Sequence, residues 1–418
     1  MSIKPRCFSP LLEKLVPHDH VLRRIDHFLH FSLVRRSVRP LYSSTGRPSV
    51  DPAVILRLFF LLFFYGIRSE RRLLQEVRFH VAYRWFIGYD LDEPLPHSSV
   101  LAKARARWGV RIFQKLFDRI VHCCLRLGLV EGRTTFLDAT VLRANASRDH
   151  LNNSQLRPPG IRLNDLLPSP TDPEAGLTKR KGQRSFYGYR AHRAIDPKAR
   201  VITETQVTAG DQADEWQLPA LLEGQQRHGL DPQEVVADSI YGTAANYVYL
   251  VERGKVAHIK RRQSGRRRGR FVLEDFVYDP VRDCLICPQG KVLSFLSGVP
   301  GGKLYRARWS DCRVCPVRTQ CLSGKSQRRV LRSWEQETIE EVRAQLQTER
   351  AQENLRKRRV VCEGSFAEGK SYHNLGRALY RGRWKVQMQE YLIATVQNLK
   401  RLLSWEAKHE LKPALAVS

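Results

Sequence analysis

Acidic residues are scarce in this chain: 42 Asp and Glu stand against 71 Lys and Arg, giving a formal net charge of +29 and a pI near 10.2. Such a surplus excludes a cationic partner and calls for a polyanionic one, of which nucleic acid is the commonest for a soluble protein. Long apolar runs are also missing. The most apolar stretch, "ILRLFFLLFFYGI", is too short to span a bilayer and contains Arg57. The opening "MSIKPRCFSPLLEKL" lacks the apolar core of a secretory signal. These absences predict a cytoplasmic protein, in which thiols stay reduced and a cluster of cysteines indicates metal rather than disulfides. No internal repeat is visible either.

What is present points to more than one folded region. A chain of 418 residues exceeds one compact core. Residues 1–125 read as helical and form the expected N-terminal DNA-binding domain. Asp51-Pro52 is a helix start with an N-cap acceptor, Gly66 is its stop, and the run between is apolar almost all round. "ERRLLQEVRFHVAYRWF" is a second helix rich in arginine, and "HSSVLAKARARW" begins a third, with Lys103 and Arg107 four apart on one face. This pattern fits either a helix-turn-helix-like DNA reader or a plain bundle with a solvated basic face.

From Thr134 the period changes to two. "TTFLDATV" reads as a strand whose buried run ends at Asp138, and "YGYRAHRAID" with "RVITETQVTAG" reads as a hairpin around "PKA". The intervening segment 146–184, rich in Asn, Pro, Asp and Ser, reads as a mobile loop. "EVVADSIYG" is a further strand, ending at Asp238. The expected boundaries are 130–255 for the first part of an α/β catalytic domain, 256–330 for a basic and cysteine-rich insertion, 334–405 for C-terminal helices and 406–418 for a tail. In the last long helix Met388, Leu392, Val396, Leu399 and Leu403 fall at core spacing.

A buried carboxylate costs several kcal/mol unless it is paired or binds metal, so Asp138 needs an explanation. Strand-end acids of an α/β sheet converge on one ligand site, which lets Asp138 and Asp238 serve together. Glu363, in "LRKRRVVCEGSFAEGK", is the best third acid; Arg359 precedes it by four residues and Lys370 follows by seven, placing all three on one helical face. Gly364 and Gly369 weaken that helix by roughly 1 kcal/mol each. Three carboxylates suit Mg²⁺, and two such ions support phosphodiester cleavage without a histidine or serine nucleophile.

At these places the chain resembles bacterial insertion-sequence transposases of the DDE class, whose catalytic core is ribonuclease-H-like. "FLDATVLRANAS" is similar to the first-aspartate segment, "YGYRAH" and "VTAGDQADE" to the stretch between the aspartates, and "VVADSIYGTAANY" to the second-aspartate segment. "RRVVCEGSFAEGKSYHNLGRALYRG" resembles the glutamate segment and contains the Arg-x3-Glu-x6-Lys part of a Tyr-Arg-Glu-Lys signature as Arg359, Glu363 and Lys370; Arg356 stands where that signature has Tyr. "GRPSVDPAVILRLFFLLFFYGIRSERRLLQEV" resembles the preceding helical domain, so the likeness runs from about residue 15 to 405.

The resemblance implies an α/β fold: a ribonuclease-H-like mixed sheet flanked by helices, preceded by an all-α domain and interrupted by a small cysteine-rich insertion. It also implies that Asp138, Asp238 and Glu363 bind Mg²⁺ or Mn²⁺, two ions in all. The reaction implied is hydrolysis at the element's ends followed by strand transfer of the 3′-OH. Arg359 and Lys370 would hold phosphates. Partners would be double-stranded DNA (terminal inverted repeats and target) and a second copy of the chain, at the bacterial nucleoid.

Two C-x2-C pairs, Cys284/Cys287 and Cys312/Cys315, are followed by Cys321 and suggest a zinc ribbon. The resemblance favours Cys287, Cys312, Cys315 and Cys321 as the zinc set, with Cys284 as alternate. "KRRQSGRRRGR" contains Lys260, Arg261 and Arg262 without interleaved aromatics, which predicts phosphate binding rather than base stacking. Two rival readings keep part of this: a zinc-bearing DNA-binding regulator explains the charge but not the ordered acids, and a metal-dependent nuclease lacks only strand transfer.

Overall fold

The computed structural model describes residues 10–409 except 30, 44, 46–48, 148–167, 180–181, 183, 262–269, 323 and 325. The chain divides into two compact units, one of residues 1–236 with 356–418 and the other of residues 237–355. Helical and strand-forming segments therefore share the first unit, because the last helix packs on both.

In the first unit, α1 (Pro10–Leu15), α2 (Val21–Phe28) and α3 (Ser32–Val38) precede α4 (Pro52–Phe64), α5 (Glu70–Phe79), α6 (Val81–Ile87) and α7 (Ser99–Arg126). Asp51 caps α4 as its sequence predicts, accepting from the Ala53 N–H at 2.9 Å, and every residue from Pro52 to Phe63 is buried. The one charge on that helix, Arg57, donates to Asp26 at 2.8 Å and lies over the Phe31 ring. No helix among the described residues is long and apolar enough to cross a membrane. Residue Gly109 (φ 63°, ψ −170°) kinks α7, a break that the arginine-rich pattern around it does not announce.

The sheet of this unit holds β1 (Thr134–Arg143), β2 (Gly176–Thr178), β3 (Phe186–Asp196), β4 (Val201–Ala209) and, through residues 234–236, β5 (Glu234–Ala237). β3 runs antiparallel to β1 on one side and to β2 and β4 on the other, while β5 joins β1 in parallel. The β3–β4 hairpin turns at residues 197–200, as expected. The expected mobile loop is corrected in part: within it, residues 168–179 are folded, Ser169 and Asp172 are buried, and β2 extends the sheet. Asp172 anchors the segment by accepting from the Tyr189 hydroxyl and the Gly382 N–H. Polar composition concealed these internal partners.

After β5 come α8, counted in chain order as Leu218–Gln226 between β4 and β5, then α9 (Ala244–Val251) and β6 (Val256–Ile259) of the second unit. That unit continues with β7 (Val277–Asp279), β8 (Cys284–Ile286), β9 (Val292–Val299), β10 (Gly302–Ala307), the short α10 (Trp309–Arg313) and α11 (Arg318–Cys321), β11 (Arg329–Arg332) and α12 (Gln336–Gln345). Strands β7 to β11 form an antiparallel sheet in sequential order. One face covers a small core of Phe276, Leu285, Leu293, Tyr305, Ala307 and Val330.

The first unit resumes with α13 (Glu349–Tyr372, from residue 356) and α14 (Arg383–His409). α14 packs on α4, α7 and β4, and residues 388–399 are buried without a break. The single apolar stripe expected there is thus too narrow; Gln389, Glu390, Thr395, Gln397 and Asn398 are buried as well, each with a hydrogen-bond partner.

Candidate active site

The first expected acid lies in the middle of its strand and not at its end. β1 continues five residues past Asp138, to Arg143, because β3 pairs with it over the whole stretch from Phe136 to Arg143. Asp138 Oδ1 accepts from the Ala139 N–H at 2.8 Å and Oδ2 accepts from Arg358 Nη1 at 3.0 Å. Arg358 belongs to α13, so the helix that carries Glu363 lies against the strand that carries Asp138. Further along, Lys370 Nζ donates to Thr140 Oγ1 at 2.5 Å, tying α13 to β1 a second time.

Glu363 is exposed and pairs with Arg359 at 3.2 Å, one turn away; their side chains are 67% and 76% exposed, leaving both open to a ligand. A pair so exposed contributes little to stability. Arg359, Glu363 and Lys370 were expected to share a free face, yet only the first two do; Lys370 has turned to the sheet. Both glycines lie inside an unbroken helix. At Gly369 a Cβ would come within 2.8 Å of Leu375 Cδ2 and 3.3 Å of Gln397 Oε1, so the missing side chain permits close packing that outweighs its poor helix propensity.

Behind this surface sits a buried polar network. Arg193, directly opposite Asp138 on β3, donates to Glu390 Oε1 at 2.6 Å, Ser365 Oγ at 3.0 Å and Gln397 Oε1 at 2.9 Å. Thr205 also donates to Glu390, and Gln397 to the Ser365 carbonyl. Arg193 and Glu390 have no solvent exposure. The network joins β3, β4, α13 and α14 and holds Ser365, two residues from Glu363. Its sequence signal is Glu390 and Gln397, seven apart on a helix otherwise read as apolar.

Asp238 belongs to the second unit and follows β5 directly, as expected. Its Oδ1 accepts from the Ile240 N–H at 3.0 Å in a tight turn. Among the described residues no three His, Cys, Asp or Glu side chains are grouped closely enough to hold a metal ion.

Residues 10–107 match the family model described as Transposase domain (DUF772), and residues 286–403 match the one described as Transposase DDE domain. The chain is a DNA transposase of the DDE class. The solved structures similar to the transposase include a piggyBac transposase synaptic complex with hairpin DNA, determined by cryo-EM, at 11% identity and a TM-score of 0.40, covering 98% of this chain and 77% of that one. The DDE match includes Glu363 and the later cysteines; Asp138 and Asp238 lie outside it. DDE transposase domains generally use divalent metal ions such as Mg²⁺.

In the transposase's second unit, Cys287, Cys312 and Cys321 pack against the small core, while Cys284 is buried on β8. Burial raises the Cys321 thiol above its ordinary range, and Cys312, Cys315 and Cys287 add to that rise against the opposing pull of Arg328. The four expected zinc ligands therefore share one neighbourhood without standing as a closed ligand set. Cys123, Cys124 and Cys362 are core residues. Lys103 and Arg107 are exposed on α7, with Arg107 over the Tyr42 ring at 4.5 Å. Lys260 and Arg261 are exposed, and Arg262 lies outside the described residues.

Proposed function

We propose that Asp138, Asp238 and Glu363 are the metal-binding acids with which this transposase cleaves DNA at the ends of its element and joins the freed 3′-hydroxyls to a target. The observation that carries this reading is the 3.0 Å contact of Arg358 with Asp138, since it brings the glutamate helix onto the central strand. The strand arrangement supports a ribonuclease-H-like core: β4, β3 and β1 are antiparallel in that order and β5 continues parallel to β1, ending just before Asp238. Oxygen donors suit a hard divalent ion, and Asp138 already faces a positive charge. Mg²⁺ there, as one or two ions, supplies activation of the attacking water and stabilisation of the leaving oxygen.

The chain's own residues do the rest. Arg359 and Glu363 stand exposed, so Arg359 can take a DNA phosphate once the glutamate binds metal. Lys370 holds β1 and α13 in register through Thr140 and remains within reach of the same surface. Lys103 and Arg107 on α7, with the basic segment 260–262, extend phosphate contact beyond the site. Cys287, Cys312, Cys315 and Cys321, with Cys284 as alternate, close on a structural Zn²⁺. The helical segment up to residue 125 positions DNA, 256–330 acts as the insertion, and two protomers bring two ends together. The working place is the bacterial cytoplasm, at the nucleoid.

Excision from a plasmid carrying the gene's native flanking DNA tests the acids. Wild-type protein should excise the element, and Asp138→Asn, Asp238→Asn and Glu363→Gln should each abolish excision while leaving DNA binding. Activity in all three variants would overturn the assignment.

A further inference from the structure

The signature-like spacing singles out Arg359 as the cation of the site, yet the side chain that meets the first acid is its neighbour. Arg358 Nη1 lies 3.0 Å from Asp138 Oδ2, and Oδ1 of the same carboxylate is taken by the Ala139 N–H at 2.8 Å. Both oxygens of Asp138 are thus engaged. A metal ion bound directly to Oδ2 has to take the place of the guanidinium, because two cations cannot share that lone pair at contact distance. The guanidinium is also only partly held, since Arg358 Nε is buried with no hydrogen-bond partner among the described residues. An arginine with an orphaned donor gains by moving to a ligand that satisfies it. The two side chains are 16% and 19% exposed, enough for exchange without leaving the carboxylate in bulk water.

We infer that Arg358 is the metal-exchange residue of this transposase: without metal it neutralises Asp138, and metal loading requires its release from Oδ2. The inference rests on Asp138 being one of the metal-binding acids. It assigns Arg358 a positioning role distinct from the phosphate role of Arg359, and it explains how a mid-strand carboxylate is kept ionised and half-buried before metal arrives. A freed guanidinium is suited to bidentate contact with a phosphate, so metal loading and DNA engagement use the same movement.

The test is calorimetric titration of Mn²⁺ into the full chain without DNA, so that the readout is affinity rather than turnover. Arg358→Gln should bind Mn²⁺ at least about tenfold more tightly than wild type, and Arg358→Lys, which keeps the charge, should stay close to wild type. In an Asp138→Asn background, Mn²⁺ binding should fall and Arg358→Gln should no longer change it. If Asp138→Asn lowers Mn²⁺ affinity but Arg358→Gln alone does not raise it, the exchange role is overturned and the acid survives. If Asp138→Asn leaves Mn²⁺ affinity intact, the acid assignment fails and the exchange role with it. A lowered melting temperature for Arg358→Gln with unchanged affinity would mark the contact as structural only. A lysine variant as tight as the glutamine variant would count against charge competition.

Discussion

Arg193 with Glu390 in the first unit and Asp283 with Lys303 in the second are both ion pairs beside a sheet, yet they are built in opposite ways. Arg193 and Glu390 are fully buried and satisfied by Thr205, Ser365 and Gln397 from other elements. Asp283 and Lys303 are each more than one-third exposed, and the aspartate accepts from the Tyr305 and Tyr278 hydroxyls at 2.6 and 2.8 Å. A dry pair pays a large desolvation penalty and is retained where several elements must meet in one arrangement. A rim pair needs no such network. The first unit thus fixes the relation of the Glu363 helix to the Asp138 strand, and the second staples a small five-stranded sheet at its edge.

The largest effect that would sharpen this comparison is expected at Arg193. Arg193→Met leaves Glu390 buried without its cation and should destabilise the first unit by about 3–5 kcal/mol, read by chemical denaturation; a change below 1 kcal/mol would mean that water reaches the network. Next comes Leu293→Ala in the core of the second unit, expected to cost about 2–5 kcal/mol, with its loss of protection confined to residues of β7–β11 in hydrogen exchange. Protection lost equally from β1 and β3 would break the division into two units.

Smaller effects appear with pH, and they run in opposite directions. Burial pushes Glu204 on β4 up to about 7 despite Arg227 at 2.5 Å. A carboxyl raised in the folded state binds its proton more tightly there, so the stability it contributes is complete below its unfolded value of 4.5 and is lost as pH rises through about 7. Hydrogen bonds from Tyr305, Lys303 and Tyr278 hold Asp283 down to about 2. Its contribution is present above 3.8 and is lost as pH falls through about 2. Melting temperatures should therefore decline for wild type between pH 5 and 8, and Glu204→Gln should flatten that decline. Asp283→Asn should remove part of the acid-side loss of the second unit; an unchanged acid limb would count against the rim cluster.

Much of the fold was legible because it depends on local pattern. The Asp51 cap, the apolar α4, the β3–β4 hairpin and the strand before Asp238 all follow from short-range rules that the chain obeys. The acids were identifiable as types in order, and the matched DDE segment includes Glu363. The folded segment 168–179 was not legible, since its polar residues are satisfied by Tyr189 and Gly382, which lie apart from it in sequence. Nor was the kink at Gly109, because a single glycine within a helical pattern is compatible with either outcome.

By itself the sequence determined the class of protein: a strongly basic chain with carboxylates in the order of a DDE transposase, an apolar first helix and grouped cysteines. Those are properties of composition and spacing, which survive without any knowledge of packing. Only the tertiary structure decided that Asp138 lies within its strand, that Gly369 marks a close approach, that Lys370 turns to Thr140, and that Arg358 rather than Arg359 meets the first acid. Adjacent arginines on a helix differ by about 100° in direction, and which one meets the sheet depends on how α13 is rotated. That rotation is set by Ser365, Gln397 and Arg193, which lie on three different elements and come together only when the chain is folded.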